Sequence, residues 1–107
     1  MDWKYEEGRI YSIDEKNELM AEATYVLKEN GEVDIDHTYV NPALRGQGVA
    51  GKMMSVVAEY LREKGLIATA TCSYANSWFK KHRDIYSDII SKDIDSEVVA
   101  CKIGKKH

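Results

Sequence analysis

Two cysteines, Cys72 and Cys101, are all that this chain of 107 residues contains. That is too few for a disulfide framework, and both are expected as free thiols in a reducing compartment. The histidines His37, His82 and His107, taken with Cys72, lack any metal-ligand spacing, so no metal is expected. There is a single proline, Pro42, and no repeat, low-complexity tract or linker. The length fits one domain, residues 1–107. Long hydrophobic runs are missing too. The uncharged stretch Leu66 to Phe79 is short and studded with Thr, Ser and Asn, which excludes a membrane span. The start, MDWKYEEGR, has neither the basic opening nor the apolar centre of a signal peptide, so a cytoplasmic protein is expected.

What is present is an ordinary globular composition, 44% hydrophobic and 31% charged, which argues against disorder. The net charge of −3 is unevenly placed. Residues 1–42 hold 11 acidic and 4 basic side chains, a balance of −7; residues 43–107 hold 7 acidic and 11 basic, a balance of +4. A basic second half suits an anionic ligand and an acidic first half a cationic one. The overall acidity argues against a nucleic-acid partner.

Hydrophobic patterning predicts the order β-β-β-α-β-α. Ile10 to Ile13 alternates as a strand, and Asp14 to Glu18 reads as a turn. Leu19 to Leu27 and Val33 to Val40 read as strands joined by a hairpin turn at Asn30-Gly31. From Gln47 to Lys64 the apolar residues Val49, Met53, Val56, Val57, Tyr60 and Leu61 fall on one helical face, and Gly65 is a terminator. Leu66 to Cys72 reads as a buried strand, Ser73 to His82 as a helix and Ile85 to Ile90 as a short helix or turn. The tail Glu97 to Ile103 is a candidate last strand. Three hairpin-linked strands are antiparallel. A fourth returning after a helix is placed parallel to the third by a right-handed crossover. The expected class is α/β, a mixed and mostly antiparallel sheet with two main helices.

Chemistry concentrates at Arg45-Gly46-Gln47-Gly48-Val49-Ala50-Gly51-Lys52, between a strand and the strongest helix. Glycines there let a ligand approach the backbone, and the helix start offers free N–H groups and partial positive charge. With Arg45 and Lys52 flanking, this is an anion site, most naturally for phosphate. Packing alone would also explain the glycines. Gly46-x-Gly48-x-x-Gly51 matches the dinucleotide fingerprint, but it lies five residues beyond the strand and no acid occurs in Leu66 to Cys72. Gly46-x-x-x-x-Gly51-Lys52 approaches a P-loop, but Met53 stands where a magnesium-binding hydroxyl is needed.

A third pattern fits better. Val40-Asn-Pro-Ala-Leu-Arg45-Gly-Gln-Gly48-Val-Ala50 resembles the acetyl-CoA loop of the GCN5-related N-acetyltransferases, Gln/Arg-x-x-Gly-x-Gly/Ala. Arg45, Gly48 and Ala50 occupy its fixed positions. The resemblance implies that the amides of this loop bind the pyrophosphate of coenzyme A. It also implies that the strand ending at Val40 bonds the pantetheine arm, and that this strand and the one after the helix splay apart around the thioester. Cofactor-binding residues are then Val40, Arg45, Gly46, Gln47, Gly48, Val49, Ala50, Gly51 and Lys52. The segment from Thr71 to His82 is similar to that of a small single-domain subfamily with Cys-Pro-Tyr after the strand, with Ser73 in place of the proline. The family tyrosine that protonates the leaving thiolate falls on Phe79, which carries no proton.

Cys72 is therefore a candidate nucleophile, just before a predicted helix start; a small buried hydrophobe is the alternative reading. His37 is the candidate base, against a histidine merely packed on a sheet face. Asp34 and Asp36 are alternatives to it, or holders of a cationic amine. Cys101 reads as structural; Tyr74 and Trp78, four apart on one helix face, read as packing residues, with a lining of the acceptor side as the alternative. The implied activity is acetyl transfer from acetyl-CoA to an amine, either a small amine or a protein or peptide lysine. The alternative is a coenzyme A or acyl-CoA binding module with little catalysis.

Overall fold

The computed structural model describes residues 1–96. The expected tail strand, Cys101 and His107 lie outside them. The strands are β1 (Lys4–Glu6), β2 (Arg9–Ile13), β3 (Leu19–Leu27), β4 (Val33–Val40) and β5 (Ala68–Ala70). The helices are α1 (Val49–Lys64), α2 (Ser73–Lys81) and α3 (Arg83–Tyr86), with 3-10 turns at Pro42–Leu44 and Lys92–Ser96. The sheet order is β1-β2-β3-β4-β5; all neighbours are antiparallel except β4 and β5. The mixed, mostly antiparallel α/β architecture is as the patterning predicts. No helix among the described residues is long and apolar enough to cross a membrane.

One strand is additional. Lys4-Tyr-Glu6 pairs with β2 through a turn in which Gly8 has φ +79°. All three residues are exposed, so no hydrophobic alternation announces them.

Alternation on β2, β3 and β4 turns one face inward. Ile10, Ala21, Ala23, Val33 and Ile35 are buried there, with Ala68 and Ala70 of β5. Onto that face α1 lays Met53, Met54, Val57, Ala58 and Leu61, all fully buried. The small alanines bring α1 close to the sheet. A Cβ added at Gly51 of α1 would lie 4.0 Å from Trp78 Nε1 of α2, so the two helices also touch. α1 ends at Gly65, φ +70°, whose N–H donates to the Arg62 carbonyl while Leu66 N–H reaches back to Leu61. That left-handed stop releases the chain into β5.

Beyond α2, Ile89 to Ser91 hydrogen-bonds the outer edge of Ala68. Arg62 holds this segment from α1, donating to both oxygens of Asp88 and to the Ile85 carbonyl. Arg83 donates to one oxygen of Asp95, 2.9 Å. These hydrogen bonds hold both carboxyls below their ordinary value of 3.8. A carboxyl depressed by folding stabilises the fold fully above its unfolded pKa, and that stability is lost as pH falls through the lower folded value. Thermal melts are therefore expected to fall more steeply below about pH 4 in the natural chain than in the double variant Asp88→Asn, Asp95→Asn. Superimposable acid limbs would exclude the two pairs as the cause.

Candidate active site

The site is made by two strands that part. β4 and β5 pair only over Val33–Ile35 and Ala68–Ala70, and the last bond between them is Cys72 N–H to the Ile35 carbonyl, 3.1 Å. Beyond it, β4 continues to Val40 on β3 alone. The register slips there: Tyr25 faces Ile35 but Thr24 faces His37, leaving Asp36 as an extra residue. Such a bulge bends its strand. Thr24 Oγ1 ties it down by donating to Asp36 Oδ1, 2.6 Å. On the other side, Cys72 caps α2, its carbonyl accepting from Asn76 N–H at 2.9 Å. Asn76 Nδ2 in turn donates to the Ala70 carbonyl, so the chain leaves the sheet at once.

Asn41 fixes the top of the gap. Its side chain accepts from Ala43 N–H and donates to the Leu19 carbonyl, and its own N–H donates to the Met20 carbonyl. Pro42–Leu44 then turns the chain into the glycine loop. Gly46 and Gly48 have φ of +81° and +72°, a region that strongly favours glycine. The N–H groups of Gly46, Gly48, Val49, Ala50 and Gly51 have no acceptor among the described residues. Arg45 and Lys52 are exposed and form no ion pair among them. A cleft of about 240 Å³ opens here, walled by Val40, Arg45, Gly48, Ala50, Gly51 and Tyr74. Free amides at the start of a long helix, with two unneutralised cations, suit an anion such as a pyrophosphate.

Cys72 is buried at the border of the gap, with its Sγ 3.3 Å from Thr38 Oγ1 of β4. His37, the neighbouring residue, turns to the opposite face. Its Nε2 lies 3.7 Å from Glu22 Oε1, and its side chain is about half exposed. Arg9 Nε donates to the other Glu22 oxygen. The structure therefore brings Cys72 against Thr38 and Tyr74 against the glycine loop, while His37 stands across the sheet from the thiol. Asp34 is buried and accepts from Thr69 and Thr71, and Asp36 sits in the bulge.

Sequence reasoning missed one residue of the site and underweighted another. Thr38 lacked any signal, because its importance is a contact to a residue 34 positions away. Tyr74 read as packing, yet it walls the cleft with 40% of its surface exposed. Its hydroxyl has no partner among the described residues, and burial pushes its pKa up, keeping it protonated at neutral pH. Phe79 is fully buried in the core.

The GCN5-related N-acetyl-transferase family matches residues 10–89, and the chain belongs to that family. A GCN5-like protein from Staphylococcus aureus, solved by NMR, is 38% identical, with a TM-score of 0.69 over 84% of this chain and 87% of that one. A ribosomal-protein-alanine N-acetyltransferase from Brucella melitensis biovar Abortus 2308 overlaps more loosely, with 22% identity and a TM-score of 0.47 over 72% of this chain and 62% of that one. No curated protein matches.

Restoring a tyrosine at 79 is expected to harm rather than help. A hydroxyl there enters a filled core with no space made for it, so Phe79→Tyr should cost about 1–3 kcal/mol. Denaturant unfolding measures the loss, and a thiol-release assay should show no gain in turnover. A stable and faster variant would overturn this placement.

Proposed function

We propose that the protein transfers an acetyl group from acetyl-CoA to an amine. The observation that carries this reading is the row of unpartnered amides from Gly46 to Gly51. They open onto the stretch where β4 has lost its neighbour, with the Cys72 thiol at the border. Acetyl-CoA supplies an activated thioester. Arg45, Lys52 and the loop amides hold its pyrophosphate, and Val40 and the open edge of β4 guide its pantetheine arm down to Thr38.

The sulfur of Cys72 attacks the acetyl carbonyl carbon, the carbon–sulfur bond to coenzyme A breaks, and the proton lost by the Cys72 thiol leaves on the sulfur of coenzyme A, relayed by the Tyr74 hydroxyl. The acceptor amine then attacks the acetyl group on Cys72, the carbon–sulfur bond to Cys72 breaks, and the proton lost by the amine returns to the Cys72 sulfur; His37, held beside Glu22 on the other face of the sheet, stays outside this step. The acceptor is a small amine or a protein or peptide lysine, reaching an open gap. Its protonated form is attracted by the acidic face of Glu22 and Asp36.

Arg45 is exposed and unpaired, so Arg45→Ala leaves the fold intact. It should weaken coenzyme A about tenfold or more while barely affecting pantetheine, because a charge-assisted bond exists only with the phosphorylated ligand. Calorimetry checks this; equal losses for both would assign Arg45 to packing.

Cys72→Ala should lower turnover about a hundredfold or more, with coenzyme A affinity kept. Acetyl-CoA should also add one acetyl mass to the tryptic peptide holding Cys72. Full activity in Cys72→Ala would reduce the thiol to a packing residue and leave direct attack by the amine. Tight coenzyme A binding with no acceptor-stimulated thiol release, across polyamines and lysine peptides, would instead identify a binding module.

A further inference from the structure

The backbone of Cys72 is clasped on both sides. Its N–H donates to the Ile35 carbonyl, 3.1 Å, and its carbonyl accepts from Asn76 N–H, 2.9 Å. Thr71, the residue before it, donates through Oγ1 to Asp34 Oδ2, 2.7 Å, and Asp34 is itself buried on β4. What remains is rotation about the Cα–Cβ bond, among a small set of staggered positions. Sγ takes one that faces β4, 3.3 Å from Thr38 Oγ1. No other hydrogen bond reaches Sγ among the described residues. Ile35, Ala70, Ala75 and Phe79, buried in the same core cluster as Cys72, carry no polar side-chain atom.

We infer that Thr38 is a positioning residue of the transfer: its hydroxyl fixes the Cys72 sulfur against β4 and donates a hydrogen bond to it whenever that sulfur carries negative charge. The inference rests on the reading of Cys72 as the nucleophile. While the thiol keeps its proton, either atom can donate to the other. Once the proton has left for the sulfur of coenzyme A, Sγ has nothing to donate and Thr38 must be the donor. The same holds when the amine attacks and the carbon–sulfur bond to Cys72 breaks. In each step the sulfur passes through partial negative charge in a buried place, where a donor counts most. A hydrogen bond to a charged acceptor is roughly twice as strong as one between neutral groups. The contact therefore stabilises the sulfur more during the transfer than at rest, which is the condition for raising kcat.

Thr38 is placed for this by the bulge. It pairs with Ala23 of β3, beyond the last register position that β4 shares with β5. Plain alternation from Ile35 would bring His37 to the packed side of the sheet. The extra residue at Asp36 shifts the pattern by one, so His37 turns out to Glu22 and Thr38 turns in to the thiol. A β-branched side chain on a strand has little freedom at χ1, so the hydroxyl is set before any ligand arrives.

The test compares Thr38→Val, which keeps the branched shape and the strand preference, with Thr38→Ser, which keeps the hydroxyl. Two rates are read on the full chain by mass spectrometry of the tryptic peptide holding Cys72: acetylation by acetyl-CoA and alkylation by iodoacetamide at neutral pH. The peptide holding Cys101, in the same digest, is the internal reference. Thr38→Val should slow both reactions at Cys72 about tenfold or more, with alkylation of Cys101, coenzyme A affinity and melting temperature kept. Thr38→Ala, which also lacks the hydroxyl, should match it, and Thr38→Ser should recover most of the rate. Natural rates in Thr38→Val would overturn the inference and leave Cys72 as the nucleophile. So would a loss that Thr38→Ser fails to recover, or one matched by an equal loss of coenzyme A affinity. A natural chain in which acetyl-CoA leaves no acetyl group on Cys72 would overturn the nucleophile reading itself, and this inference with it.

Discussion

The structure depends on one early termination. β4 and β5 share three register positions and then separate, because Asp36 is an unpaired extra residue on one side and Cys72 turns into a helix on the other. Had the pairing continued, the edge of β4 from His37 to Val40 would be closed and Cys72 would be one more residue in a ladder. A parallel pair held by so few bonds would be fragile alone. It is held by what surrounds it: α1 across the inner face, Ile89 to Ser91 on the far edge of β5, and Asn76 gripping the Ala70 carbonyl. The opening is therefore a built feature of the sheet, with hydrogen bonds at both rims.

The same economy sets the side-chain sizes. Ala21, Ala23, Ala58, Ala68, Ala70 and Ala75 are fully buried, and they let α1 and α2 share one face of a five-stranded sheet. Larger residues at these places would hold the helices away and widen the gap between Gly51 and Trp78. The other face, carrying Arg9, Glu22, Thr24, Asp36 and His37, stays polar. Its charges are interlinked: Glu22 takes Arg9 on one oxygen and faces His37 with the other. The site is thus two-sided by construction, with the thiol on the packed side and the imidazole on the wet one.

Much of this was legible in the residues. Val49, Met53, Val57 and Leu61 marked the long helix, Gly65 marked its end, and Arg45 to Ala50 marked the loop, because helical period and glycine punctuation are local properties. The parallel return of β5 followed from an intervening helix of sixteen residues. What was hidden is non-local or weakly patterned. β1 has no buried side to betray it, so alternation was silent. Asp36 as a bulge is visible only from the register of the partner strand. The contact of Thr38 with Cys72 and the place of Tyr74 in the cleft wall depend on how α2 leaves the sheet, which no spacing encodes.

That exit also decides what Phe79 and Tyr74 are for. α2 begins at Ser73 with Cys72 as its cap, so Tyr74 falls in the first turn, beside the mouth, while Phe79 falls over a turn further on. A helix of nine residues packed by Ala75, Trp78 and Phe79 has one buried stripe, and Phe79 lies on it. An acid at 79 would have to surrender its place in that stripe to reach the gap. An acid at 74 already stands on the rim with its hydroxyl free. The helix geometry thus assigns 79 to the core and sets the Tyr74 hydroxyl on the wall of the cleft.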